Sequence, residues 1–193
     1  MIPTDLPKAE LHCHLEGTIP PRLAKKIAKR NNIDLSPTLF QDEENYAWYD
    51  FTTFLEAYDS ASLCLRNAED YREITYKYLS KCASEGAIYV EVFTSPEHAA
   101  ECGINYNEHV KGIAQAFEDA ERDFGIIGRA IVTCLRHFGP EKAMIVADSF
   151  LDNPNPYFVG FGMGGDEGHM TFKDFKPAFD KVAKAGYPCT THA

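Results

Sequence analysis

Apolar and polar residues alternate along Ala9-Glu10-Leu11-His12-Cys13-His14, the period-two pattern of a strand with two distinct faces. Glu16-Gly17-Thr18-Ile19-Pro20-Pro21 breaks the alternation, and a helical pattern runs over 22–32. Residues 36–83 are helix-like and rich in aromatics, with no clear strand. The rhythm changes at Ala87-Ile88-Tyr89-Val90-Glu91-Val92-Phe93, a β-branched and aromatic run that Ser95-Pro96 ends. Asn107 is the expected cap of a helix whose Val110, Ile113, Ala114 and Phe117 fall on one face. A strand over 127–134 and a helix over 140–150 follow, then a strand over 157–163 that runs into glycine-rich 162–168. The next helix carries Phe175, Phe179 and Val182 on one face and stops at Gly186. Its Pro177 must lie in the first turn or kink it. Cys189-Thr190-Thr191-His192 opens a further strand.

The later strands recur at the spacing of βαβ units, and their nearly continuous apolar runs suit parallel strands covered on both faces. The prediction is a parallel α/β sheet; a doubly wound sheet and a closed barrel both fit the rhythm. The chain has 193 residues, the size of one domain or part of a larger one, and 45% are hydrophobic, enough to fill a core. Nineteen basic against 29 acidic residues leave a net charge of -10, which argues against nucleic acid as a partner. No apolar run approaches a membrane span, and the N-terminus lacks the pattern of a signal peptide, so no membrane partner is expected. Six scattered cysteines without a CxxC pair read as reduced thiols of a cytoplasmic protein. Nothing in the pattern sets an oligomeric state.

Candidate chemistry starts with His12 and His14. Two residues apart on a strand, they point the same way, into the interior if the sheet closes, while Ala9, Leu11 and Cys13 face the helices. Such a pair alone is more often two ordinary histidines than a metal site. His192, at the end of a later parallel strand, falls on the same rim as His14. Three imidazoles at one rim are the minimum protein set for a catalytic zinc with an open position. His14-Leu15-Glu16 and Pro188-Cys189-Thr190-Thr191-His192 mimic the signature of cytidine-type deaminases, but Cys189 and His192 on a strand face opposite ways. The glycines of 162–168 form no phosphate loop, and Asp166 and Glu167 would repel a phosphate. Phe51, Phe54, Leu55 and Tyr58 have the spacing of one helix face, suited either to the core or to a lid over a flat substrate.

These pieces together resemble the adenosine deaminase family of the amidohydrolase superfamily. Pro7-Lys8-Ala9-Glu10-Leu11-His12-Cys13-His14-Leu15-Glu16-Gly17 looks like its opening strand. Gly164-Gly165-Asp166-Glu167 looks like its fourth-strand loop, and Thr191-His192-Ala193 like the start of its fifth-strand motif. The resemblance covers essentially the whole chain, residues 1–193. It implies the N-terminal part, about five strands, of a (β/α)8 TIM barrel with a helical insertion at about 36–83 after the first strand. It implies one Zn2+ held by His12, His14 and His192, and a small-molecule purine substrate. The Gly165 backbone would contact the purine ring, and Phe51, Phe54, Leu55 and Tyr58 would form the lid. The implied reaction is hydrolytic deamination of adenosine to inosine and ammonia.

Glu16 departs from the pattern, standing where many adenosine deaminases carry a ribose-binding aspartate. Members that take adenine, or another 6-aminopurine, also carry glutamate near this position, so adenine is the alternative substrate. The family's proton-donating glutamate, a later histidine and a metal-binding aspartate would all lie beyond Ala193. By that resemblance the catalytic acid is absent from these residues, and the chain alone is expected to be inactive or nearly so, a remnant of a longer protein. The other readings are a non-catalytic zinc-binding or interaction protein, and an HxH hydrolase of another kind that would use a carboxylate such as Glu91.

Overall fold

The computed structural model describes residues 6–166 and 168–191. Four strands, β1 (Lys8–His14), β2 (Ala87–Thr94), β3 (Ile127–Leu135) and β4 (Phe158–Gly164), form one parallel sheet in the order β1-β2-β3-β4. A doubly wound sheet reverses its strand order at a switch point. Here every new strand adds on the same side, and Cys189 continues the series by pairing in parallel with Phe161 of β4. Phe161 N–H donates to Pro188 O at 3.0 Å, and Thr190 N–H donates to Phe161 O at 2.9 Å. The strand order therefore chooses between the two architectures that periodicity allowed, and the sheet is an arc of a (β/α)8 barrel.

Three helices separate β1 from β2: α1 (Pro21–Arg30), α2 (Phe51–Ser62) and α3 (Ala68–Ser84). Between β2 and β3 lie α4 (Pro96–Glu101) and α5 (Tyr106–Phe124); α6 (Pro140–Asp152) precedes β4 and α7 (Phe172–Lys184) follows it. The outer layer packs through Tyr71, Ile74 and Leu79 of α3, Val110, Ile113 and Phe117 of α5, Phe150 of α6, and Phe175 and Val182 of α7, all buried. These are the i, i+3, i+4 faces that the sequence pattern requires of helices laid on a sheet.

Two local expectations need correction, and the alternative for Pro177 is narrowed. The cap of α5 is Asn105, whose side chain accepts the Glu108 N–H at 3.0 Å, and Asn107 already lies inside the helix. Pro177 is the sixth residue of α7, beyond its first turn. It and Lys173 are exposed, so the Lys173 carbonyl that Pro177 leaves without a helical donor lies on the solvent side. Along β1, Cys13 faces α3, where it shares a hydrogen bond with Tyr78, but Leu11 is 56% exposed. β1 is the outer strand of the described sheet, and its register with β2 breaks between Glu10 and Cys13.

Two contacts fix the helical layer ahead of β2. Gly112 of α5 lies against the start of α3, and a Cβ there would overlap the Ala68 carbonyl oxygen, a backbone atom that cannot rotate away. Asp70, in the first turn of α3, is fully buried and satisfied by three groups. Asn31 Nδ2 donates to it at 2.7 Å, Arg66 N–H at 2.8 Å, and the Arg30 guanidinium pairs with its other oxygen. Gly112→Ala is expected to lower stability by about 1–3 kcal/mol, the usual cost of overpacking, read as a lower urea midpoint in the natural protein. Asp70→Ala removes a buried charged acceptor from three donors and is expected to cost about 3 kcal/mol in the same measurement.

Candidate active site

The ends of the strands build the site. On β1 the alternation that points His12 and His14 to one side brings their ring centroids to 5.6 Å. Both rings lie against Phe93 of β2, at 5.2 Å and 5.3 Å. His14 also reaches towards the end of β4, since a Cβ on Gly164 would lie 3.4 Å from its Cε1. The pair therefore occupies the inner side of the arc. Two imidazoles bound at about 2.0 Å to one tetrahedral ion have centroids roughly 5 Å apart, so this pair fits two corners of a zinc site. His192 and Glu167 lie outside the described residues, and among the described residues no group of three His, Cys, Asp or Glu side chains converges on one point.

Glu16 follows immediately, in a short 3-10 turn (Leu15–Thr18), and is only 1% exposed. Its carboxylate meets three donors. Oε1 accepts from Thr94 Oγ1 at 2.8 Å and from Ser95 N–H at 3.0 Å, both at the end of β2. Oε2 accepts from Tyr58 Oη at 3.0 Å. Behind Thr94, fully buried His109 of α5 lies at 3.1 Å through Nε2. Burial, with a smaller contribution from nearby His98, pushes the His109 pKa down to about 3, so it is neutral at physiological pH. With the Thr94 hydroxyl committed to Glu16, His109 Nε2–H must be the donor, giving a relay from His109 through Thr94 to Glu16.

Helix α2 carries the aromatic stripe, and the stripe is divided. Phe51 and Phe54 are 63% and 38% exposed, and Leu55 and Tyr58 are half-buried; the packed side of α2 is Ala57, Ala61 and Ser62. Packing on the core thus does not explain its N-terminal half. The rings form a ladder: Trp48 is edge-on to Phe54 at 5.5 Å, Phe51 stacks on Phe54 at 6.3 Å, and Phe54 meets Tyr58 at 6.4 Å. Gly17 makes room for Tyr58, whose ring would lie 2.9 Å from a Cβ at that position. Burial beside the Glu16 carboxylate holds the Tyr58 phenol well above its ordinary pKa, so it stays a donor. Next to it, Asp59 Oδ1 lies 3.1 Å from Nε2 of His98 on α4.

The far side of the rim belongs to β3 and β4. Gly165 has a φ of +91°, and a Cβ there would lie 2.8 Å from His137 Nδ1, so glycine is required both by its conformation and by the close approach. His137 is half-buried in the 3-10 turn Arg136–Phe138, where burial lowers its pKa. Buried Arg136 donates to His169 O at 3.1 Å and Met170 O at 2.6 Å and stacks on Phe172 at 4.9 Å, pinning the loop that leaves β4. Glu97 Oε2 accepts the Leu135 N–H at 2.6 Å, and burial raises its pKa to about 7. Glu91, the carboxylate suggested for another hydrolase class, accepts from Tyr89 Oη at 2.6 Å, three residues short of the end of β2.

Sequence reading singled out His12, His14, Glu16, Gly165 and the α2 stripe, and His12, His14, Glu16, Tyr58 and Gly165 all lie at the strand ends. It did not find Thr94, Ser95, His98, His109 or Arg136 as supports of these residues. Ser95-Pro96 was legible as a strand stop, but not as a donor to a carboxylate 79 residues away.

Comparison with known proteins gives the family and supports the fold. Residues 7–193 match the family model described as adenosine deaminase. The chain is 43% identical over 186 residues to the adenine deaminase of a Chelativorans species, covering 96% of this chain and 57% of that protein. It is 39% identical to the adenine deaminase of Rhizobium leguminosarum, covering 97% and 58%. Among solved structures, adenine deaminase from Arthrobacter aurescens superposes with a TM-score of 0.87 at 30% identity, covering 96% of this chain and 57% of that one. A zinc-bound amidohydrolase from Burkholderia ambifaria gives 0.87 at 27% identity, covering 98% and 52%. The chain thus spans a little over half the length of these relatives, and it belongs to the adenosine deaminase family.

Proposed function

We propose that the protein is a zinc-dependent purine deaminase and that its substrate is the free base adenine, in preference to adenosine. The reaction adds water at the amino-bearing carbon of the ring and releases ammonia, giving hypoxanthine. The observation that carries the choice of base is the state of Glu16. An ionised carboxylate has about four acceptor positions, and Thr94, Ser95 and Tyr58 take three of them. What remains is a single acceptor position on a buried carboxylate. That suits one ring N–H of a free base. It does not suit ribose hydroxyls, and the nucleoside lacks the ring N–H that the sugar replaces. The names of the relatives favour the same choice over adenosine.

His12, His14 and His192 are the residues that would hold the metal. When bound, zinc supplies an activated water at neutral pH. The remaining roles belong to the chain itself. The glycine at 165 lets the purine edge approach backbone. Phe51, Phe54, Leu55 and Tyr58 cover the flat ring and exclude water, and the Glu16 carboxylate orients the base through its last acceptor position.

The natural protein is expected to convert adenine to hypoxanthine with a kcat/KM at least about 10-fold above that for adenosine, followed chromatographically with both substrates in parallel. Faster turnover of adenosine would reject the base preference. Glu16→Asp is one carbon too short to keep the Thr94 and Ser95 bonds, and kcat/KM for adenine should fall by about 10- to 100-fold. His14→Ala should lose both bound zinc, by elemental analysis, and activity. Chelation of the wild type should abolish turnover that added zinc restores. Full activity in metal-free protein would rule out the zinc assignment.

A further inference from the structure

Helix α2 is held to the rim at its C-terminal half only. Tyr58 donates to Glu16, Asp59 meets His98, and Cys102 lies 3.8 Å from the Ser62 carbonyl oxygen. The N-terminal half, with Phe51 and Phe54 outward, has no such side-chain tether among the described residues. His98 is placed to act on this helix: it is 6% exposed, 5.5 Å from the Tyr58 ring and edge-on to Phe138 at 6.1 Å. It thus bridges the covering helix and the turn that carries His137.

We infer that His98 is a positioning residue, clasping Asp59 to hold α2 over the strand ends, and that the clasp loosens as His98 loses its proton. The charges around His98 come from every neighbouring element. Asp59 on α2 and Glu16 after β1 favour its protonated form, as does Glu101 on its own helix. The imidazoles of His109 on α5, neutral in this range, and His137 after β3, whose pKa is lowered by burial, lie nearby, and Glu97 is its chain neighbour. Burial disfavours the imidazolium, but the Asp59 hydrogen bond and these carboxylates outweigh it, and the pKa lies above the ordinary 6.5. The sign follows. A raised pKa means that the clasp is complete at pH below the ordinary histidine value and weakens as pH rises through the higher value. Neutral His98 can still donate from Nε2, without the charge that strengthens the bond. Asp59 is half exposed, so the clasp is a modest one that salt weakens further.

The lid carries its own reporter. Trp48, the only tryptophan among the 193 residues, touches Phe54, which touches Tyr58, which touches His98. In the natural protein, the Trp48 emission, isolated as the signal lost in Trp48→Phe, should follow one pH transition with a midpoint above 6.5. Asp59→Asn, at a half-exposed position that folding tolerates, should abolish or shift that transition downward. His98→Ala should remove it, and His98→Gln, a neutral donor like the deprotonated imidazole, should hold the high-pH signal across the range. A transition that persists unchanged in both Asp59→Asn and His98→Ala, or its absence from the wild type, would overturn the inference. The fluorescence does not depend on turnover, so this outcome is separate from the fate of the proposed activity. Resting on that activity, the second readout is kinetic: Asp59→Asn should raise KM for adenine about 3- to 10-fold with a smaller change in kcat. An effect on kcat alone would argue against a covering role.

Discussion

A carboxylate with 1% of its surface in water survives only where donors replace that water, and Glu16 is such a group. Its three donors come from two separate parts of the chain, the end of β2 and helix α2. Meeting them fixes where β1 ends relative to β2 and draws α2 over the rim. It also favours glycine at 17, where a Cβ would crowd the Tyr58 ring. His109, neutral and buried behind Thr94, extends the same relay into α5. The removal of any one donor leaves a buried carboxylate short of a partner, which ties α2 energetically to the sheet.

The opposite side of the rim uses the complementary device. Arg136, a buried cation, is satisfied by the carbonyls of His169 and Met170, so the loop after β4 is anchored through its backbone. That anchorage leaves Gly165 in a left-handed conformation directly against His137. One wall is therefore set by an anion gathering donors and the other by a cation gathering acceptors, with the two strand histidines between them. Phe93, stacked on His14 and tilted against His12, gives those rings an apolar backing.

Membership of the adenosine deaminase family rests on nearly the whole of this chain but on only a little over half of each relative. The strand order and the rim are features of the chain itself. The proposed chemistry belongs to the entire protein. The two meet at Glu16, where three protein donors leave one acceptor position, which is the physical argument for a base without a sugar.

Periodicity and residue type by themselves determined the four strands, most of the helical segments between them and the shared face of His12 and His14, because each depends on neighbours within a few residues. The HxH pair and the glycine-rich run at the end of β4 were legible for the same reason, whereas Gly165 was singled out only by the family resemblance. Strand order was not legible: a βαβ rhythm fits two architectures, and only the addition of every strand on one side decided between them. The division of the α2 stripe was not legible either, since one spacing serves a core face and a lid equally well, and exposure of Phe51 and Phe54 depends on what faces them. Nor were the supports of Glu16. Thr94, Ser95 and Tyr58 lie 78, 79 and 42 residues from it along the chain. Contacts of that range leave no periodic trace in a single sequence; tertiary structure alone brings such donors to a buried charge.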